Sequence, residues 1–490
     1  MPEIVNLQGE HWTITAVTLN AFTDDIDTPV HRNEYHLFRG MVAEKVTGSI
    51  FFLENEHSGD AWVILADSPD YERAELVVRD YRAAVKTSGN VTVVSCKKGE
   101  CEQVCRKTLG AEMFPGTPVT MSNTWGDGNG FRRVCEEFVL KEIDTAARLG
   151  VDVVQIDDGW QFGSTADPAR RDERGRRVFA DDFWQLDSSR FPRGMEYVSA
   201  YAAQRGVKLG LWFAPESKDH YACMERDIEI LRKAYDRWGI RYFKLDMYRI
   251  EDDADSAQFR KFLEAIHSFG PDVALQLDVT RHSRVNYIWA RRYGTVFVEN
   301  RYAKKKTYFP HRTLKNLWLL AKYIPAANLQ MELVNPQICA DCYDAGDEFA
   351  AYRYDMEYLF ACVMLTNPLL WMELQGLSAE LGNALGEMLS FWQQYRQIFR
   401  ESDVSPIGEK PTGRSFAGFY IAHKNDHYAL LFREVTRKNR GVFLLPTAFS
   451  RAEILYTNGT ADLQVCDHIL TADFPEPRTF VFVKLNKNDS

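Results

Sequence analysis

No stretch of this 490-residue chain approaches the roughly 18 uninterrupted apolar residues that a bilayer-spanning helix needs, and its amino terminus lacks a basic segment followed by an apolar run. The expectation is a cytoplasmic protein without a membrane partner. An excess of positive charge is missing too: 59 Lys and Arg stand against 69 Asp and Glu, a formal charge of −10. This argues against nucleic acid as a partner and points to a substrate without net charge, with Lys304-Lys305-Lys306 read as a solvated loop. Cysteine is sparse, with nine scattered through the chain, an odd number that suits reduced thiols rather than a disulfide framework. Cys339-Ala340-Asp341-Cys342 has the spacing of half a zinc site, but no second pair or histidine follows at ligand spacing, so free thiols and no metal are expected. Low-complexity tracts are absent, and nearly all of the chain is expected to fold.

What is present is ordered in three blocks. Residues 1–115 carry short alternating apolar runs, such as Gly48 to Leu53 and Ala61 to Leu65, separated by Asp, Ser, Gly and Asn, and read as a shortened β-sandwich-like domain. After Pro115-Gly116-Thr117-Pro118 the pattern becomes apolar strands alternating with amphipathic helices. Eight strands can be counted over 116–402: Val119 to Trp125, Val153 to Asp158, Lys208 to Ala214, Tyr242 to Asp246, Val273 to Asp278, Thr295 to Glu299, Leu329 to Val334 and Leu369 to Leu374. Helical patterns run between them, for example Glu136 to Leu149, Met224 to Trp238 and Leu314 to Tyr323. Eight βα units predict an α/β fold closed into a (β/α)8 TIM barrel; an open doubly wound sheet is disfavoured because no Gly-rich phosphate loop follows the first strand. Beyond 402 the runs Ser415 to Ala422, Tyr428 to Phe432, Gly441 to Leu445 and Thr479 to Val483 predict a carboxy-terminal antiparallel β-sandwich over 403–490.

Barrel chemistry sits at the carboxyl ends of the strands, and polar and aromatic residues gather there. The fourth strand reads Tyr242-Phe243-Lys244-Leu245-Asp246, so alternation sends Lys244 and Asp246 from one face. A buried cation two positions before a buried anion is costly for a plain core strand, and Asp246 is the candidate nucleophile. The first strand ends in Trp125, the second in Asp157-Asp158-Gly159-Trp160 and the third in Trp212 with Glu216 beyond it. Paired carboxylates beside indoles suit a sugar, the carboxylates taking hydroxyl hydrogen bonds and the indole faces packing on C–H surface. The rival for adjacent aspartates is a calcium or magnesium site, which wants six or more oxygen ligands. The fifth strand ends in Asp278 with Arg281 following, and the sixth in Glu299-Asn300. Retaining glycoside hydrolysis needs a carboxylate that attacks and a carboxyl held protonated about 5–5.5 Å away. Glu299 and Asp278 are the two candidates for that acid/base, and no cofactor is expected.

With these residues in place, the chain resembles the family 36 glycoside hydrolases, the melibiase-type α-galactosidases, and more loosely family 27. Asp157-Asp158-Gly159-Trp160, Gly210-Leu211-Trp212-Phe213 with Pro215-Glu216, and Lys244-Leu245-Asp246-Met247 with Arg249 match that family's motifs in order and spacing. The resemblance implies a hydrolase of terminal α-galactosides on neutral oligosaccharides, with Asp246 as nucleophile. It implies that Asp157 and Asp158 grip distal hydroxyls and that Lys244 reaches an adjacent one; a homo-oligomer is compatible with it. Two departures stand out. Leu277-Asp278-Val279-Thr280 replaces the family's Cys-Ser-Gly-Gly, and Glu299-Asn300 stands where the family has a Ser-Asp pair whose Asp is the acid/base. The retained half would grip and attack the glycone, and the rebuilt half would meet its 2-position and the leaving group. A galactosyl-transferring enzyme of the raffinose-synthase type and a sugar-binding protein that has lost its acid/base are the alternatives.

Overall fold

The computed structural model describes residues 3–7, 11–20, 28–37, 42–69, 74–165, 171–281, 283–338 and 340–487. Its centre is a closed, all-parallel eight-stranded barrel in sequential order: β1 (Met121–Asn123), β2 (Val153–Ile156), β3 (Lys208–Phe213), β4 (Tyr242–Leu245), β5 (Ala274–Asp278), β6 (Thr295–Phe297), β7 (Leu329–Leu333) and β8 (Asn367–Leu370). The eight strands are the eight that alternation of apolar runs and helices predicts. The first is shorter than expected, because the chain turns at Thr124 to start the loop that carries Trp125. The helices Glu136–Leu149 and Met224–Trp238 fall where their apolar periodicity puts them, each ended by a left-handed glycine, Gly150 and Gly239. The third begins earlier than the apolar pattern alone suggests, at Pro310, whose missing N–H is harmless in a first turn.

Before the barrel lie two antiparallel sheets of five and four strands. They share a core of alternating Val, Ile, Leu and Phe, which includes Ile14, Phe51, Leu53 and Ile64. Residues Cys101–Ala111, expected to belong to the β region, form a helix instead. Its buried stripe, Cys101, Cys105 and Leu109, has the four-residue spacing of one helix face. After the barrel, the helix Ala379–Glu401 leads into a five-stranded antiparallel sheet and a two-stranded one. Buried ions tie the parts together: Arg106 of the early helix reaches Asp403 at 2.7 Å, and Asp67 of the amino-terminal sheets lies 3.7 Å from Arg291 of the barrel. No described helix is long and apolar enough to cross a membrane. Cys339 lies outside the described residues; Cys342 is a free thiol, as are the other described cysteines.

Candidate active site

The interior of the barrel is polar towards its carboxyl end. Asn123 donates to Gln155 at 2.7 Å, and Gln155 donates to Gln276 at 2.9 Å, so inward amides from β1, β2 and β5 satisfy one another across the floor. Above that floor opens a cavity of about 480 Å³, lined from the ends of β1 to β6 and β8. Its size suits a small ligand such as a sugar.

Lys244 and Asp246 both face this cavity. The Lys244 ammonium is buried between the rings of Phe297 and Trp371, with its nitrogen 5.3 and 4.9 Å from their centres, and donates to Asp157 at 2.9 Å. Burial lowers its pKa, but the charges of Asp157, Asp246 and Asp278 reverse that and carry it above the usual lysine value. Asp157 also takes Asn123 Nδ2 at 2.8 Å, and its Oδ1 accepts the Asp158 main-chain N–H at 2.9 Å. Asp158 accepts Gln161 and Thr165; burial, with a smaller push from Asp157, raises its carboxyl to about 6.

Asp246 follows β4 directly and remains 21% exposed, open to a ligand. Its Oδ1 accepts Arg284 Nη2 at 3.0 Å and the Met247 N–H at 2.5 Å, and its Oδ2 accepts the Trp212 indole N–H at 3.2 Å. Burial alone would raise its pKa. The Arg284 and Lys244 cations and the Trp212 hydrogen bond overcome that and hold the carboxyl well below the ordinary range. Met247 pays for the sharp exit from the strand with a left-handed backbone, φ 57°, which costs an L-residue about 1–2 kcal/mol.

Asp278, at the end of β5, is buried against Asp246, and its Oδ1 accepts both the N–H and the hydroxyl of Thr280, at 2.9 and 2.7 Å. Burial first, and then the charge of Asp246, push it up to about 6. The surroundings of the two carboxyls therefore push their proton affinities apart, Asp246 downwards and Asp278 upwards.

Trp125, Asp157, Asp158, Trp212, Lys244, Arg249, Asp278, Arg281 and Asn300 all line the cavity. Three predicted residues do not. Glu299 is turned away from the cavity: its carboxylate accepts Thr313 Oγ1 at 2.8 Å and Asn316 Nδ2 at 2.5 Å from the helix Pro310–Leu320. Alternation explains this, because Asn300 next to it faces the cavity. Trp160 is wholly buried among Trp184 and Trp238 and gives its N–H to the Trp212 carbonyl at 3.0 Å, a packing role beneath the site. Glu216 is buried too, accepting the Phe179 N–H at 2.9 Å and Arg226 at 3.0 Å.

Sequence reasoning missed Arg284, Tyr302 and Trp371. Arg284 lies three residues beyond the Arg281 that had been singled out, and only the fold of the loop after β5 decides which guanidinium reaches Asp246. Tyr302 takes the Trp125 indole N–H at 2.9 Å and stands 6.0 Å from Trp371, forming an aromatic wall. Lys305, read as part of a solvated run, lines the cavity mouth, whereas Lys306 pairs with Asp344 at 3.1 Å.

Residues 103–241 match the Melibiase family model. The melibiase match carries Asp157, Asp158 and Trp212 but stops five residues short of Asp246, ahead of the two departures after β5 and β6. Among curated relatives, α-galactosidase 1 of Pediococcus pentosaceus is 34% identical over 74 residues, 15% of this chain and 9% of that protein. α-Galactosidase A of Cellvibrio japonicus is 26% identical over 174 residues, 32% of this chain and 37% of that protein. The matched stretch thus spans less than a tenth of the first relative. The crystal structure of the GH36 α-galactosidase AgaA from Geobacillus stearothermophilus superposes with a TM-score of 0.66 at 13% identity, covering 97% of this chain and 75% of that one. A variant of that enzyme in complex with raffinose gives the same TM-score, covering 98% and 75%. The melibiase-like fold therefore extends over all three parts of the chain.

Proposed function

We propose that this protein is a retaining, exo-acting glycoside hydrolase that removes terminal α-galactose-like residues by double displacement, with Asp246 as nucleophile and Asp278 as acid/base. The observation that carries this reading is the pair of unlike carboxyls in the cavity, Asp246 held below the ordinary carboxylate range by Arg284 and Lys244, and Asp278 raised to about 6 by burial and by Asp246. The melibiase match and the α-galactosidase relatives supply the glycone. Asp157, Asp158 and Lys244 would take its distal hydroxyls, and Trp125, Trp212 and Trp371 its C–H faces.

In the first step a carboxylate oxygen of Asp246 attacks the anomeric carbon, the bond to the glycosidic oxygen breaks, and the proton of Asp278 goes to that oxygen. Water then attacks the glycosyl-enzyme, giving its proton to Asp278 and releasing Asp246. Asp278 lies in hydrogen-bond contact with Asp246, closer than the roughly 5–5.5 Å of a retaining pair, so its carboxyl would have to swing towards the glycosidic oxygen when a glycoside enters, an adjustment that catalytic hydrogen bonds commonly make on binding. Asp278, Thr280 and Asn300 rebuild the side that would meet the 2-position, so the glycone is galactose-like with a 2-substituent or an aglycone unlike those of melibiose and raffinose.

The reading is tested by assaying Asp246→Ala and Asp278→Asn on aryl α-galactosides with good and poor leaving groups. Asp246→Ala should abolish turnover of both, and Asp278→Asn should lose most on the poor one. Turnover by Asp246→Ala would overturn it. For the glycone, nitrophenyl α-galactoside, its N-acetylgalactosamine analogue and the β-L-arabinopyranoside are compared. Full activity on raffinose without preference among these three would refute the altered 2-position or aglycone.

A further inference from the structure

The cavity's charge runs opposite to that of the chain. Seven of its lining residues are Lys or Arg and four are Asp, in a protein whose net charge is −10. The cations fall into two layers. At the bottom, Lys244 and Arg284 are buried and paired with Asp157 and Asp246. At the mouth stand Arg171, Arg177, Arg249, Arg281 and Lys305, on the loops after β2, β4, β5 and β6. Arg171, Arg281 and Lys305 are exposed.

These outer cations have little to neutralise them. Only Arg249 has an ion-pair partner among the described residues, Glu251 at 3.4 Å. Arg171 and Arg177 face each other across an isolated antiparallel bridge, where like charges oppose folding. Arg171 gives one N–H to the Gly175 carbonyl at 3.1 Å, and Arg177 gives one to the Thr165 carbonyl. Arg177 Nε and Arg284 Nη1 are buried without a hydrogen-bond partner. The forked guanidinium donors of Arg171, Arg177, Arg249 and Arg281 at the mouth match the oxygens of a carboxylate, phosphate or sulfate.

We propose that the mouth of this cavity binds an oxyanion carried on the aglycone, so that the substrate is a galactoside whose second half is negatively charged. The inference rests on reading the cavity as a glycoside site, because that reading places the glycone at the buried carboxylates and leaves the aglycone among the exposed cations. An anion there would relieve the Arg171 and Arg177 repulsion, and it would be recognised by charges that the glycone does not use.

The test compares melibionate, whose aglycone bears a carboxylate, and melibiose 1-phosphate with neutral melibiose. The expected kcat/KM advantage of the anionic sugars is about tenfold or more at low salt and shrinks as ionic strength rises through the range where the Debye length falls to about 8 Å. The double variant Arg171→Gln/Lys305→Gln should lower the ratio of anionic to neutral turnover. Calorimetric binding of melibionate and melibiose to Asp246→Asn gives the same comparison without chemistry. Equal kcat/KM or equal affinity for the charged and neutral sugars overturns the inference and leaves the hydrolase reading standing. Preferential, salt-sensitive binding of melibionate to Asp246→Asn, with no turnover of any galactoside by the unsubstituted protein, supports the inference while overturning the hydrolase reading.

Discussion

Replacing Arg284 by Met removes the guanidinium that sits 3.0 Å from Asp246 and over the Tyr248 ring while leaving an unbranched apolar side chain in the buried position. The ion pair is buried, with side-chain exposures of 7% and 21%, so water substitutes poorly for the lost cation. A carboxylate deprived of an adjacent opposite charge typically gains 1–3 pKa units, and one unit corresponds to about 1.4 kcal/mol. Lys244 and the Trp212 N–H remain, so a rise of about 1–2 units is expected in Asp246. In the unsubstituted protein Asp246 is held well below the ordinary carboxylate range, and its ionisation is expected to set the acidic limb of activity. The acidic limb of kcat/KM on an aryl α-galactoside should therefore move to higher pH by about that amount in Arg284→Met, with activity on the plateau falling about tenfold or more. Stability should follow the linkage sign for a depressed carboxyl. The native contribution of Asp246 is present above its unfolded value near 4 and is lost as pH falls through the lower folded value, so the variant's deficit, about 3–5 kcal/mol for a broken buried pair, should be visible at pH 7 and narrow in acid. Urea unfolding at pH 7 and at about pH 2–3, below the unfolded value, measures the second effect, and a pH–rate profile the first. An acidic limb that does not move would refute the assignment of Arg284 as the cation that keeps Asp246 ionised.

Asp278 has the opposite sign: its folded pKa, about 6, lies above the unfolded value, so it costs stability as pH rises through that interval. Asp278→Asn should raise the Tm at pH 8, by no more than about 3 kcal/mol in free energy, with the gain gone by pH 4, while lowering turnover of poor leaving groups at least about 100-fold. Glu299→Gln should leave the ratio of rates on good and poor leaving groups unchanged, because its carboxylate meets Thr313 and Asn316 rather than the cavity; chemical denaturation should show a loss of about 1–3 kcal/mol. Trp160→Phe should likewise lower stability by about 1–3 kcal/mol without altering KM, whereas Trp212→Phe, which removes a hydrogen bond to the nucleophile, should lower kcat.

Much of the architecture was legible along the chain. The eight strands and the helices between them follow from alternation and from glycine and proline signals, which act over a few residues. Lys244 and Asp246 share the cavity because a period of two places them on one face, and Asp157 and Asp158 were marked by their adjacency beside indoles. The same local rules left Trp160 and Glu216 misplaced. Both lie just past strand ends, where one residue of turn decides between the cavity and the packing beneath it.

The order of motifs and the alternation of strands and helices determined the barrel, the carboxyl-end site and Asp246 within it, because these depend on spacing between near neighbours. Which carboxyl lies beside Asp246 with its pKa raised was decided only by the tertiary structure. Asp278 binds a proton more readily than Asp246 because burial at the end of β5, the negative charge of Asp246 after β4 and the pairing of Arg284 with Asp246 meet at one point. Glu299 is bonded away from the cavity by Thr313 and Asn316 of a helix that begins eleven residues later. Protonation follows the sum of desolvation and charge in space, and residues from separate strands contribute to that sum only once the barrel has closed.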